Sequence, residues 1–350
     1  MRKREMTSKE RIVASVHHQP TDQLPTDFWG VEEITRKLYR RLGVHDRIGL
    51  SEALGLDCIM TVSPRLIAND RSDMWGIEYQ TIPLPGGVGS YAEPVRHPLA
   101  EFETVGEMEA GYRFPSIDMF DYSVVGAQCE QFKGYAIEGG YISLTYFYEM
   151  LRGTEQMLVD FIAEPDIARY ILRQLQEFSY SHTKRILEEG NGRIHLSEVT
   201  DDLGSQGGLL MSLKMIDGFL GEAYRQNIGL VHAFGADVFH HDDGAMTEAL
   251  PWLVEKGIDI LNPLQWHLPG WNLPTLKRDY GDRLCFHGGI DNQYVLPFGT
   301  EEDVRAEVRA CKEALYSDGT GYILAPCHNI QANTPIENIL VMYAEAQKQA

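Results

Sequence analysis

Residues 237–244 of this chain read DVFHHDDG, a short apolar run that ends in two histidines and two aspartates. The same arrangement returns in residues 284–291, LCFHGGID, and in residues 322–329, YILAPCHN. Such runs are typical of buried parallel strands, and helical periodicity follows most of them. Successive βα units with polar side chains just past each strand predict an α/β fold, a (β/α)8 TIM barrel whose carboxyl-terminal rim collects those side chains.

The rest of the chain fits one such barrel. A barrel needs roughly 250 residues, so we expect a single domain over residues 1–350, with an N-terminal helical extension and rim insertions. A capping-box pattern that begins at Thr7 predicts a helix over residues 8–17. The first strand is expected at residues 23–28. Residues 69–115 are rich in Gly, Pro and aromatics, and we expect excursions or a hairpin there.

Composition narrows the cellular setting and the partners. The net charge is −20, from 31 Lys and Arg against 51 Asp and Glu, and a field of this sign repels polyanions. Five scattered cysteines without a CxxC pair argue against a disulfide framework and favour a reducing compartment. The start lacks the apolar core of a signal peptide, and no run approaches the roughly 18 apolar residues of a membrane span. We expect a cytoplasmic protein that binds neither nucleic acid nor a membrane.

A metal site is one interpretation of the histidines and aspartates. Strand alternation places His241 and Asp243 on the same side if that segment stays extended. His328, or its neighbour Cys327, ends the last predicted strand and reaches the same rim of a closed barrel. Three protein ligands with one open position suit a catalytic zinc, although iron or manganese also accept imidazole and carboxylate. The same residues could equally cap loops and bond to backbone.

A second acidic group lies in residues 201–206, DDLGSQ, directly after another predicted strand. Two adjacent carboxylates in a partly desolvated pocket can raise one pKa enough for general-acid work. Asp201 and Asp202 are therefore candidate catalytic residues, with Gln206 to orient the substrate. The alternative is that an aspartate caps the following helix.

Five further residues are predicted to bind substrate. Asp27, His287 and Asp291 end or follow predicted strands and are expected to face the pocket. Tyr146 belongs to an aromatic cluster that either lines an apolar ligand wall or packs in the core. Arg152 either binds an anion or pairs with a neighbouring acid.

Taken in order, these residues resemble the uroporphyrinogen decarboxylase superfamily, which includes corrinoid-dependent methyltransferases. The segments that carry the resemblance are residues 10–13 (ERIV), 20–22 (PTD), 151–153 (LRG), 201–206 (DDLGSQ), 241–244 (HDDG), 288–291 (GGID), 298–300 (FGT) and 322–331 (YILAPCHNIQ), with Pro335 and residues 337–338 (EN). They span nearly the whole chain. The resemblance implies a single (β/α)8 barrel, in agreement with the alternation of strands and helices.

The resemblance separates two activities. The authentic decarboxylase carries an arginine-rich motif, RQAGRYLPEY, that meets the carboxylates of a tetrapyrrole. Residues 27–34 read DFWGVEEI in its place, and the first arginine after them is Arg36. Acids where cations are needed would leave a polycarboxylate substrate without counter-charges. Uroporphyrinogen is therefore not the expected substrate.

The methyltransferases of the superfamily hold zinc with a His-x-Cys pair and a later Cys. The resemblance places His241 and Asp243 at the first pair, and His328 or Cys327 at the late position. Oxygen and nitrogen ligands leave a zinc ion more Lewis acidic than thiolates do, which favours activation of water or a substrate oxygen over a thiol.

The leading hypothesis is a methyltransferase that moves a methyl group between a small substrate and a corrinoid (methylcobamide) carried by a partner protein. No spare domain for a corrinoid is expected in the chain. The alternatives are a metal-independent decarboxylase or lyase of a small carboxylic acid, and a non-catalytic binding protein. A homodimer is left open.

Overall fold

The structure is a computed structural model that describes residues 5–67, 73–83 and 90–348. Its strands are β1 Ile59–Val62, β2 Arg65–Leu66, β3 Glu78–Pro83, β4 Ser90–Arg96, β5 Phe120–Asp121, β6 Ala136–Ser143, β7 Leu196–Thr200, β8 Asp237–His241, β9 Ile260–Asn262, β10 Cys285–Ile290 and β11 Tyr322–Pro326. Its helices are α1 Ser8–Val16, α2 Glu32–Leu42, α3 Arg47–Leu54, α4 Val105–Gly111, α5 Val124–Gln131, α6 Leu144–Arg152, α7 Thr154–Ala163, α8 Pro165–Gly190, α9 Leu213–Ala233, α10 Leu250–Lys256, α11 Leu273–Tyr280, α12 Val295–Phe298, α13 Glu301–Leu315 and α14 Ile336–Ala346.

Seven parallel strands form the barrel sheet in the order β1-β6-β7-β8-β9-β10-β11. The expected strand at residues 23–28 is shorter than predicted: only Thr26 bridges, parallel to Leu324 of β11. The carbonyl of Thr26 also accepts the amide of Cys58, just before β1, at 3.0 Å. Pro25 has no amide hydrogen to extend this ladder. The segment around Thr26 therefore links the two edge strands and stands in the place of an eighth strand.

Helix α1 closes the amino-terminal end of the barrel. Its capping box at Thr7 is present as predicted, and Ile12 and Val16 are buried. Both side chains join a cluster with apolar residues of the barrel strands. Polar side chains fill the opposite half of the barrel, at the carboxyl ends of the strands, and the candidate site lies there.

The region expected to contain excursions or a hairpin holds the antiparallel pair β3–β4. Residues 68–72 and 84–89, which belong to the same expectation, lie outside the described residues. None of the helices in the described ranges has the length and apolar composition needed to cross a membrane.

Candidate functional site

The structure brings His241, Asp243 and His328 together at the rim. Their ligand atoms all lie within 4.8 Å of one another, and no other group of three or more His, Cys, Asp or Glu side chains within the described ranges does so. Asp243 Oδ2 lies 3.8 Å from Nε2 of His241 and 3.9 Å from Nε2 of His328. The His241 ring belongs to the end of β8, whereas His328 follows β11, so the closure of the sheet creates this group.

The group fits a divalent cation. Nδ1 of His241 donates to the amide oxygen of Asn262 at 2.5 Å, which leaves Nε2 unprotonated and directed toward Asp243. Asp243 Oδ1 is buried and has no hydrogen-bond partner. Burial raises the pKa of Asp243, although the nearby His241 and His328 oppose this, and burial lowers the pKa of His328. Neutral imidazoles and an orphaned carboxylate oxygen are the donors that zinc accepts.

The alternative ligand, Cys327, does not join this group. Its thiol is buried and donates to the carbonyl of Leu264 at 3.3 Å. Burial raises its pKa far above the ordinary value, so the thiolate form is disfavoured.

A buried hydrogen-bonded chain supports the group from below. The amide nitrogen of Asn262 donates to Nδ1 of His287 at 2.7 Å, and Nε2 of His287 donates to Asp27 at 3.2 Å. All three side chains are fully buried. Burial alone would raise the pKa of Asp27, but the bond from His287 and the charge of Arg47 lower it. The expected substrate ligands His287 and Asp27 thus orient His241 through Asn262, and Asp27 also lines an interior cavity.

Asp201 and Asp202, which follow β7, have different hydrogen-bonding roles. Asp201 is buried, accepts the amide and hydroxyl of Thr145 at 2.6 and 2.7 Å, and accepts the hydroxyls of Ser143 and Tyr224. Burial raises its pKa to about 6 against those bonds. Asp201 therefore caps α6, which precedes it, rather than the following helix. Asp202 is exposed and accepts the amide of Asp243 at 3.1 Å, which positions the carboxylate at the rim.

Other expected site residues lie outside the group. Arg152 is buried in an ion pair with Asp160 at 2.7 Å, and it also donates to the Phe102 carbonyl, so it is not available to a substrate. Asp291 accepts the amides of residues 293 and 294 and shapes the turn before α12. Gln206 is exposed on its loop.

Tyr146 lines a cleft of about 430 Å³ together with Trp75, Tyr79 and Phe147. Tyr146 is 40% exposed, so it does not pack in the core, and its contact with a ligand stays a prediction. The cleft is mostly apolar and lies beside the rim.

Two cavities lie near the candidate ligands, and two of the three ligands line the outer one. The outer one, of about 440 Å³, is lined by polar side chains that include Asp243, His328, Gln265, Asn292 and Gln331. The inner one, of about 250 Å³, lies inside the barrel and is lined by Asp27, Trp29, Arg47, Glu138, Glu198 and Phe239. The ring centroid of Trp29 is 5.7 Å from that of His241, so Trp29 borders both the ligand group and the inner cavity.

Sequence reasoning missed several residues of this site. Asn262 ends the apolar run of β9, so the rule that selected His241 could have found it. Glu138 and Glu198 are single carboxylates within otherwise apolar strands, which is an unusual position because burial penalises their charge. The register pairs Glu138 with Leu196 and shifts before Glu198, so it does not reveal that the two carboxyls share a hydrogen bond.

Glu138 makes stability depend on pH. Burial, followed by the charge of Asp27, raises its pKa from 4.5 to about 7, and Glu198 is raised well above 4.5 by burial and by Glu138. The folded state then holds a proton that the unfolded chain releases, so the stabilisation is complete below about pH 4.5 and is lost as the pH rises through about 7.

We expect Glu138→Gln to be more stable than the wild type at pH 8, by about 1–3 kcal/mol, and to match it more closely at pH 5. Urea unfolding at the two pH values measures this difference. An equal effect at both pH values would contradict the assignment. Asp201 and Asp242 also have raised pKa values. Their contributions to the pH dependence of stability cancel in the comparison because both proteins contain them.

The fold is that of a TIM-barrel-like α/β protein, and its candidate site lies at the carboxyl ends of the strands. The chain belongs to the uroporphyrinogen decarboxylase family: the family model described as Uroporphyrinogen decarboxylase (URO-D) matches residues 142–349, more than half of the chain. Residues 10–13 and 20–22, which contribute to the resemblance, precede this match.

One solved structure shares the fold over nearly the whole chain. A methyltransferase from Methanosarcina mazei is 17% identical, covers 98% of both chains and has a TM-score of 0.71. A B12-independent methionine synthase from Shewanella sp. W3-18-1 is 11% identical, covers 93% of this chain and 97% of its own, and has a TM-score of 0.47. Curated proteins contain no match to this sequence. The first likeness shows a shared barrel fold.

Proposed function

We propose that this protein is a methyltransferase that moves a methyl group between a small substrate and a corrinoid, a methylcobamide carried by a partner protein, with the help of a zinc-type ion. The observation that carries the proposal is the convergence of His241, Asp243 and His328 at the mouth of a polar cavity. Membership of the uroporphyrinogen decarboxylase family and the fold likeness to a methyltransferase support it.

The three side chains would hold the ion, which when bound polarises a substrate oxygen or nitrogen. The residues around them prepare the site. Asn262 fixes the tautomer of His241, and Asp202 holds the backbone of Asp243. Trp29 packs edge-on against His328, with ring centroids 6.4 Å apart, and keeps water from that side of the imidazole. The donor set contains no thiolate, which favours an oxygen or nitrogen substrate over a thiol.

The experiment is a methyl-transfer assay with methylcobalamin in place of the corrinoid protein. Methylated and unmethylated aromatics, amines and thiols are offered to the zinc-loaded protein, and the cobalamin spectrum reports methyl gain or loss. We expect turnover with a compound that bears oxygen or nitrogen, and loss of that turnover in His241→Ala. His45→Ala is the matched control, because His45 is exposed and distant in sequence from the ligands.

Failure of every compound in the panel would contradict the methyltransferase proposal. Carbon dioxide release from a small acid without metal would select the decarboxylase instead. That alternative relied on Asp201 as a group that acts on substrate, but its oxygens accept four hydrogen bonds within the protein. Tight capture of a ligand without any product would select the binding protein.

A further inference from the structure

The inner cavity combines carboxyl groups with aromatic rings. Glu138 of β6 and Glu198 of β7 lie on one side of it, and Trp29 and Phe239 contribute rings whose centroids are 6.0 Å apart. Its volume of about 250 Å³ suits a small ligand. Branched aliphatic side chains usually fill the interior of such a barrel, so packing alone does not explain carboxyl groups in this position.

One carboxyl oxygen of the cavity lacks a hydrogen-bond partner. Asp27 is matched by Arg47 at 3.4 Å and by His287 at 3.2 Å. The same terminal nitrogen of Arg47 also donates to the carbonyls of Phe28 and Ile59, both at 3.0 Å, whereas its Nε atom has no hydrogen-bond partner. Glu138 is only 8% exposed, yet its Oε1 atom has no hydrogen-bond partner.

The neighbour of Glu138 makes this arrangement costly. Burial, followed by the charge of Asp27, raises the pKa of Glu138 to about 7, and burial together with Glu138 raises the pKa of Glu198 well above its ordinary value. The pair therefore holds a proton near neutral pH. A second proton loss leaves a buried negative charge that no cation contacts directly. A ligand cation in the cavity would remove this cost.

The rings select the kind of cation. The faces of indole and phenyl rings attract cations, and they favour methylated ammonium groups, which are weakly hydrated and fill an apolar surface. A metal ion or a primary ammonium would instead need several oxygen ligands, whereas Oε1 of Glu138 is the one buried side-chain oxygen of this lining without a hydrogen-bond partner. Trp29 also packs beside His241, so a group held against it lies next to the candidate metal ligands.

We propose that the inner cavity binds a methylated ammonium group, with Glu138 as its counter-ion and Trp29 and Phe239 as its walls. This rests on the proposed function, since it names the substrate class as a methylated ammonium compound. Its nitrogen has no lone pair, so the atom that the ion would polarise is another donor atom of the substrate. The ammonium group contacts the Glu138 carboxylate, and its methyl groups pack on the two rings.

Binding is measured by calorimetry at pH 8 with the full chain, using choline and its uncharged carbon analogue 3,3-dimethylbutan-1-ol. We expect choline to bind at least tenfold more tightly than the analogue, which has the same shape without the charge. Glu138→Gln keeps the size of the side chain and removes its charge, and it is expected to lower the affinity for choline at least tenfold. Glu313→Gln, an exposed glutamate on α13, is the matched control.

Equal binding of choline and the analogue, no binding of choline, or unchanged binding by a folded Glu138→Gln variant would overturn the inference. Circular dichroism checks the fold, and Phe239→Leu gives a second test, with weaker choline binding expected. The readout needs no metal and no methyl transfer. Turnover of another methyl compound without choline binding would refute the inference alone, whereas choline binding with no turnover of any compound would refute the proposed function alone.

Discussion

Replacing His241 or His328 with alanine is expected to lower the zinc affinity of the protein by on the order of a thousandfold. Each imidazole supplies one of three ligand atoms that lie within 4.8 Å of one another, and alanine leaves a two-ligand site. Metal analysis after purification, followed by competition with a chromogenic chelator, measures the loss. The chelator titration is needed because a weakened site can still load at high zinc concentration.

The surrounding residues provide graded controls for that experiment. Asn262→Leu removes the acceptor of His241 but no ligand, so a smaller loss of about 10–100-fold is expected. Cys327→Ser should leave the affinity unchanged, because the thiol points to the Leu264 carbonyl. Wild-type protein that binds no metal, or a Cys327 variant that loses it, would refute the ligand assignment.

Replacing Arg152 with methionine is expected to destabilise the protein by about 3–5 kcal/mol. The substitution keeps an apolar stem of similar length but leaves the fully buried Asp160 without its cation. Tyr148 and Gln156 still donate to Asp160, yet neither carries a charge. The Phe102 carbonyl also loses a donor. Urea unfolding, with the midpoint and slope fitted separately, measures the change.

A matched exposed pair tests whether burial is the cause. Arg225→Met breaks an ion pair with Glu222 on the surface of α9, and little change in stability is expected because solvent screens that pair. Adding Asp160→Asn to the Arg152 variant should restore part of the loss, since the uncompensated charge is removed. A small effect of Arg152→Met would contradict the structural role and reopen anion binding.

Predictions from the sequence were most accurate for elements that depend only on interactions between residues close in the chain. The capping box at Thr7 and strand β8 follow from short-range hydrogen bonding and periodicity, and the structure contains both of them. The prediction of a full strand at residues 23–28 was wrong, also for a local reason: Pro25 limits pairing within these residues to a single bridge at Thr26. Helices α3 to α7 were not predicted, since rim insertions interrupt the βα alternation there.

The chemical roles of residues were harder to predict from the sequence than the helices and strands. Arg152 and Asp201 have the residue types of a substrate clamp and a general acid, but burial and partners decide what such groups do. Asp160 forms an ion pair with Arg152. The amide of Thr145 and three hydroxyls donate hydrogen bonds to Asp201. The contacts come from residues that no spacing rule connects to them.

By itself, the sequence determined the barrel and the family, because alternating strands and helices and the polar residues after them are encoded within short segments. Only the tertiary structure decided which of those polar residues act together. Closure of the sheet brings His328 to His241, and Glu138 of β6 forms a hydrogen bond with Glu198 of β7 although the two are not cross-strand partners. Electrostatic and ligand interactions act over a few ångströms, so they depend on distances that the order of residues along the chain does not specify.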